Sequence, residues 1–170
     1  MHDNGMISTL KHFPGHGDTA EDSHTGKAYC YKYLDEMRQC ELIPFKAGID
    51  AGADFVLCAH IITPNIDESG LPASMSEKFI TDILRGELEF NGIIITDALD
   101  MHAVSSYYTS AEAAINCVKA GCDMLLCPDT LTEAGGAVID AVKNGEISED
   151  RINESVKRII SKKLEYGIIE

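Results

Sequence analysis

The chain has 170 residues, 45% hydrophobic and 25% charged, which is enough for one domain with a real core. Its formal net charge of -14 argues against nucleic acid or an anionic membrane as the main partner. No run approaches the ~18 consecutive apolar residues of a membrane span. No basic flank with an apolar core marks a signal peptide, so a cytoplasmic location is expected. Six cysteines without a CxxC pair read as free thiols in a reducing compartment, with Cys58 and Cys127 expected inside buried strands.

In chain order, the apolar run Met6 to Leu10 predicts a short buried strand ending at Lys11 or His12. It opens into Lys11-His12-Phe13-Pro14-Gly15-His16-Gly17, continuing to Asp22-Ser23-His24, a glycine-broken loop dense in titratable groups. Residues 26–39 are polar and tyrosine-rich (Tyr29, Tyr31, Tyr33) and read as irregular before a helical turn. Pro44 suits the first turn of a helix carrying Phe45 and Ile49, with Gly52 where its C-cap belongs. Phe55 to Ala59 is a strand ending at His60, and Ser76 caps a helix with the stripe Phe79, Ile80, Ile83, Leu84.

Asn91-Gly92 turns the chain into the clearest strand, Ile93 to Thr96, which ends at Asp97. Ser110 is expected to cap the next helix, which Gly121 closes. Met124 to Cys127 is a fourth buried strand, followed by Asp129. A helix over 131–143 stops at Asn144-Gly145. Ser148 starts a last helix with the expected buried face Ile152, Val156, Ile159, Ile160, Leu164. Ala51-Gly52-Ala53-Asp54-Phe55 is echoed by Ala120-Gly121-Cys122-Asp123-Met124, a repeated helix-to-strand joint.

Non-alternating apolar strands between amphipathic helices imply an α/β fold whose parallel sheet is covered on both faces. Two architectures satisfy this: an open doubly wound sheet, or part of a (β/α)8 barrel. His12, His60, Asp97 and Asp129 each follow a strand, and chemistry gathered at strand carboxyl ends favours the barrel. A whole barrel takes about 250 residues and eight strands. Four strands therefore make half of one.

The stretch from Lys11 to Gly17 together with Asp22-Ser23-His24 resembles the signature of glycoside hydrolase family 3 β-N-acetylhexosaminidases. Gly92 to Met101 is similar to that family's nucleophile strand, and Ala120 to Leu126 to its last barrel strand. The resemblance implies that residues 1–170 are a truncated TIM-barrel domain, strands five to eight of the (β/α)8 barrel. Met1 would then be an internal methionine of a longer ancestral frame. The family places further substrate-binding residues, an aspartate and an arginine among them, on the first half of the barrel, for which this sequence has no counterpart.

The resemblance further implies a bacterial enzyme that removes terminal β-linked N-acetylglucosamine, commonly from cell-wall muropeptides, by a retaining mechanism. Asp97 would form the glycosyl-enzyme, and His24, oriented by Asp22, would be the general acid/base. Lys11, His12, His60 and Met101 would contact the sugar. No cofactor is implied. The partner is a carbohydrate, with a second copy or a complementing half-barrel chain completing the fold.

The residues allow this chemistry. Retaining hydrolysis needs a nucleophile on one face of the anomeric carbon and a proton donor near the leaving oxygen. A histidine serves as donor because its ordinary pKa of about 6.5 lies near working pH. Asp22 and His24, two apart, share one side of an extended loop. Asp97 also fits a helix cap, and Asp100 is the other candidate nucleophile. His16 reads as a stabiliser of the loop, and His60 either lines the pocket or bonds a neighbouring loop.

Two rivals stand beside this reading. One is a metal-dependent hydrolase using His12, His16, Asp22, His24, His60 and Asp97 as ligands. The other is a half-barrel that self-associates through its open edges and catalyses nothing.

Overall fold

A computed structural model describes residues 5–17, 19 and 26–170. Four parallel strands form the main sheet: β1 (Thr9–Phe13), β3 (Phe55–Cys58), β5 (Ile93–Ala98) and β6 (Met124–Leu126), in that spatial order. Consecutive strands lie side by side, each pair joined by a connection that carries helix, and the architecture is α/β, half of a (β/α)8 barrel. A second, two-stranded parallel sheet pairs β2 (Ala28–Tyr29) with β4 (Ile61–Ile62). It lies in the connections that follow β1 and β3. This small sheet replaces the irregular segment expected after Gly26.

The helices follow the sequence pattern closely. α1 (Leu34–Gln39) and α2 (Leu42–Asp50) are consecutive, and Pro44 sits in the first turn of α2. The helix over Lys78–Glu87 buries Phe79, Ile80, Ile83 and Leu84 as the stripe predicts, with the Ser76 hydroxyl accepting from the Phe79 amide. It is wound wide: the Leu88 amide donates to the Ile83 carbonyl five residues back. A short α3 (His102–Ser105) precedes α4 (Ser110–Ala120). The cap of α4 is Thr109 rather than Ser110, because Thr109 and Glu112 form a reciprocal capping box. Gly121, at φ +118°, closes that helix in a left-handed turn. α5 (Leu131–Lys143) and α6 (Glu149–Glu165) complete the chain, and the Ser148 hydroxyl caps α6.

One face of the sheet is covered and the other is not. Val56, Cys58, Ile94 and Thr96 point into the helix layer and are fully buried beside Phe13, Phe79 and Leu84. Their neighbours on the opposite face, Phe55, Leu57, Ile95 and Met124, are only half-buried. The expected cover on both faces therefore holds for one face within this chain. β1 is an edge strand, with Met6 55% and Ile7 41% exposed in the run that leads into it.

The last helix also departs from its pattern. Among its residues only Ser155 is buried, while Val156, Ile160 and Leu164 are 41% to 51% exposed. Ile152 packs against Val118, Ala141 and Ile147 at the start of α6, and polar contacts at the amino ends of the strands hold the rest of the helix. The repeated joint supplies them. Asp54 accepts from the Ser8 amide (2.8 Å), Lys162 Nζ (2.8 Å) and the Tyr166 hydroxyl (3.0 Å). Asp123 accepts from the Ile94 amide (2.9 Å), Arg85 (2.5 Å), Ser155 (2.7 Å) and Arg158 (3.1 Å). Both carboxylate side chains have zero exposure. All six cysteines are free, and Cys127 is exposed rather than buried because the chain turns to φ +43° there and leaves the strand.

Burial alone raises the Asp54 carboxyl, but the bonds from Lys162, the Ser8 amide and Tyr166 outweigh it and hold the group at about 2. The ordinary value is 3.8, so the unfolded chain binds the proton more tightly than the folded one. The resulting stability is present above pH ~4 and is lost as pH falls towards about 2. It amounts to about 2 kcal/mol. Urea unfolding followed across that window should show the loss in the native protein. Asp54→Asn should be less stable at neutral pH and show a flatter acid limb.

Candidate active site

Asp97 lies one residue from the carboxyl end of β5, and its side chain is 18% exposed. Alternation places it with Ile95 on the uncovered face. The Ala98 amide donates to Oδ1 (2.9 Å), while Oδ2 is turned towards His12 Nε2, 4.0 Å away across the intervening β3. An irregularity between Ile95 and Ala98 accompanies this: Thr96 Oγ1 accepts from the Leu126 amide (3.0 Å) in the β5–β6 ladder. Asp100, the other candidate nucleophile, is exposed on the following loop. Only Asp97 is fixed by the sheet.

His12 reaches Asp97 because β1 carries one extra residue. Leu10 pairs with Val56 and Phe13 with Cys58, so three steps on β1 match two on β3. Phe13 returns to the buried face, and the additional residue lets His12 turn to the other side. The peptide bonds Lys11–His12 and Phe13–Pro14 are both cis. Lys11 is exposed on the same strand.

The loop beyond β1 is held from below. Gly15, at φ +129°, donates from its amide to the His12 carbonyl (2.9 Å) and rests on the Glu41 side chain. A Cβ there would approach Glu41 Cγ at 2.7 Å, so only glycine fits. Glu41 in turn accepts from Lys32 Nζ (2.5 Å). His16 stabilises the loop locally, its ring and carbonyl bonding the Thr19 hydroxyl at 2.6 Å and 2.9 Å. A cavity of about 390 Å³ lies elsewhere, against α6 and Gly92. A comparable one of about 360 Å³ is lined by Lys11, His12, His16, Gly17 and Glu41.

Asp22 and His24, the expected acid/base pair, lie outside the described residues. His60 lies two residues past the end of β3 and is 1% exposed. Its Nε2–H donates to the Ala98 carbonyl (3.0 Å), since a carbonyl can only accept, and Nδ1 therefore accepts from the Ser74 hydroxyl (2.7 Å). Both ring nitrogens are engaged with protein. Of the two roles open to His60, the geometry fits bonding of the neighbouring loop, here the peptide next to Asp97, and leaves no nitrogen for a sugar. Burial lowers its pKa, against smaller opposing effects of Ala98 and Asp97, and keeps the ring neutral.

Met101 is 8% exposed at the start of α3, its backbone carbonyl receiving the Val104 and Ser105 amides. Ser74 and Thr96 had no signal of their own in the sequence, because an isolated hydroxyl near an apolar run reads as an ordinary cap. Among the described residues no group of three or more His, Cys, Asp or Glu side chains is placed to hold a metal ion.

Fold and site together define a class: half of a (β/α)8 barrel presenting a fixed carboxylate and an imidazole at the carboxyl ends of adjacent-but-one strands. The sequence profile of the Glycosyl hydrolase family 3 N terminal domain matches residues 1–162. The chain belongs to that family. It is 46% identical to a "Beta-hexosaminidase" of Stenotrophomonas maltophilia over 141 residues, 81% of this chain and 41% of the relative. It is 34% identical to "Beta-hexosaminidase A" of Pseudoalteromonas piscicida, covering 91% of this chain and 29% of that one. A solved glycoside hydrolase family 3 β-N-acetylglucosaminidase from Paenibacillus superposes with a TM-score of 0.95 at 39% identity, covering 98% of this chain and 32% of that structure. The chain thus spans about two fifths or less of the length of these relatives.

Three outcomes follow from the geometry. Gly15→Ala should destabilise by about 1–3 kcal/mol through backbone strain alone, with the Glu41 overlap adding to it, as read by chemical denaturation. His60→Phe should cost about 1–3 kcal/mol by stranding Ser74 and the Ala98 carbonyl. In the native protein the lowered His60 pKa also makes stability decline as pH drops below about 6.5, because the unfolded ring takes up the proton first. That component should vanish in His60→Phe.

Proposed function

We propose that residues 1–170 are strands five to eight of a glycoside hydrolase barrel that removes terminal β-linked N-acetylglucosamine with retention. The observation that carries this reading is the Asp97 carboxylate, fixed at a strand end with one oxygen pinned by Ala98 and the other facing His12. The names of the relatives supply the substrate class.

In the first step Asp97 Oδ2 attacks the anomeric carbon and the glycosidic C–O bond breaks. The leaving oxygen takes a proton from the His24 imidazolium, which Asp22 favours by its charge. In the second step water attacks the same carbon, His24 takes the water's proton, and the bond to Asp97 breaks. Protons and electron pairs balance over the two steps. Oδ1 stays bonded to the Ala98 amide throughout, which fixes the carboxylate for in-line attack. Lys11 and His12 hold hydroxyls of the transferred sugar, Met101 contacts it from the start of α3, and His60 holds the Ala98 carbonyl behind the nucleophile.

Bacterial muropeptides or chito-oligosaccharides are the substrates this reading names, with cell-wall recycling in the cytoplasm as the setting. No described helix is long and apolar enough to cross a membrane. The half-buried apolar face of Phe55, Leu57, Ile95 and Met124 calls for cover, which further strands on a second copy or a complementing chain would give.

The direct test is hydrolysis of an aryl β-N-acetylglucosaminide, by this chain alone and with the missing half supplied as a second chain. Asp97→Asn should lower turnover at least roughly a thousandfold, and a 2-deoxy-2-fluoro glycoside should leave a covalent adduct on Asp97. An adduct on Asp100 would move the nucleophile, and absence of turnover in both formats would overturn the reading. Light scattering should report an assembly larger than one chain, and a well-behaved monomer at micromolar concentration would refute the pairing.

A further inference from the structure

The tyrosine-rich segment after the catalytic loop has no part in the mechanism above, yet it is built with care. From Tyr29 to Tyr33 the side chains alternate. Cys30 is 1% exposed and packs with Ala59 and Ile61, and Lys32 turns in to Glu41. Tyr31 is 65% and Tyr33 62% exposed, while Tyr29 is half-buried and its ring stacks on that of Tyr31, 10° apart with centroids 5.9 Å apart, backing it from one side. The period of two in an extended chain puts all three on one side.

Their backbone is held at Ala28, Tyr29, Cys30, Tyr31 and Tyr33. Ala28 and Tyr29 pair with Ile61 and Ile62, and the Cys30 amide donates to the Ile62 carbonyl (2.9 Å). The Asn65 amide donates to the Tyr31 carbonyl, and the Tyr33 amide to the Glu36 carboxylate (2.7 Å). A fixed backbone carrying large exposed rings is a preorganised contact surface, since tyrosine offers much area for little lost side-chain freedom. Tyr107 makes a useful contrast. It is 54% exposed, but the Lys27 ammonium occupies its ring face at 4.1 Å.

Chemistry narrows the ligand. Aromatic surfaces that stack nucleobases come with a basic groove for the phosphates. Here the net charge is -14, Lys32 is paired with Glu41 and Lys27 lies over Tyr107. A neutral ligand with polarised C–H faces suits the electron-rich ring faces, and pyranose rings of an uncharged glycan have such faces. Position points the same way. β4 begins at Ile61, directly after His60, whose ring bonds the peptide next to Asp97. The platform therefore stands at the strand end that carries the carboxylate.

We propose that Tyr31 and Tyr33, with Tyr29 stacked behind Tyr31, form a contact platform for the internal sugars of a neutral β-linked N-acetylglucosamine oligomer whose terminal residue lies at Asp97. The inference rests on the glycosidase reading for its ligand, but it concerns binding and not turnover. The chain contains no tryptophan and six tyrosines, so the tyrosine fluorescence change of the native chain, less that of the Tyr31→Ala/Tyr33→Ala double variant, reports on the platform.

Titrations with the N-acetylglucosamine monomer, dimer and hexamer should show affinity rising with length. Tyr31→Ala and Tyr33→Ala should each weaken hexamer binding roughly five- to tenfold while leaving monomer binding unchanged. Tyr31→Phe should retain it, because the ring and not the hydroxyl makes the contact. Length dependence that persists in Asp97→Asn, or in a chain without turnover, leaves the platform standing even where the hydrolase reading fails. Equal affinity for monomer and hexamer in the native chain, or an unchanged gain with length in the Tyr31→Ala/Tyr33→Ala double variant, would overturn it.

Discussion

At the amino-terminal end of the sheet two carboxylates, Asp54 and Asp123, are withdrawn from solvent and surrounded by donors. Each takes the backbone amide of the preceding strand in the sheet, from Ser8 and Ile94, and a cation from α6, Lys162 and Arg158. Neighbouring strands and the last helix are thus fixed by the same group. An isolated buried carboxylate is too costly to keep ionised, and the cost is met only when every donor is in place. The register of β1 on β3 and of β5 on β6 is tied to the position of α6 by this requirement.

The opposite end of the strands is left for chemistry. With the amino ends fixed, the carboxyl ends tolerate irregularity: an extra residue on β1, a ladder shift in β5, and loops built on Gly15 and His60. Each irregularity bears on a side chain that the regular pattern would aim elsewhere or leave loose. His12 faces Asp97 only because β1 slips by one against β3. The neutral His60 ring spans from Ser74 to the peptide after Asp97, so the carboxylate sits on a backbone gripped from behind.

Unequal cover of the two sheet faces sets the character of the chain. The helix side is packed as a domain core, with Phe13 meeting Phe45 and Phe79 edge to face. The uncovered side presents half-buried apolar side chains in a row. The half-barrel fold accounts for both, since half of a closed barrel has an inner face that only the other half covers.

Local chemistry made much of this legible from the sequence. Apolar runs of strand length, Pro44 early in α2, the stripe from Phe79 to Leu84, Gly121 after α4 and Asn144-Gly145 after α5 each specify structure through interactions within a few residues. The motif from Lys11 to Gly17 and the strand from Gly92 to Asp97 named the family for the same reason: their residues are contiguous. What needed the tertiary structure was every feature that depends on a partner far along the chain. The small β2–β4 sheet was invisible because two residues carry no period of their own. The exposed flank of α6 read as buried because a hydrophobic stripe does not say what faces it, and here Asp54 and Asp123, 108 and 35 residues from their partners on the helix, hold it instead. The bulge that turns His12, the fate of both His60 nitrogens and the need for glycine against Glu41 are likewise contacts between segments. A linear sequence records the residues that make such contacts but not the distances that bring them together.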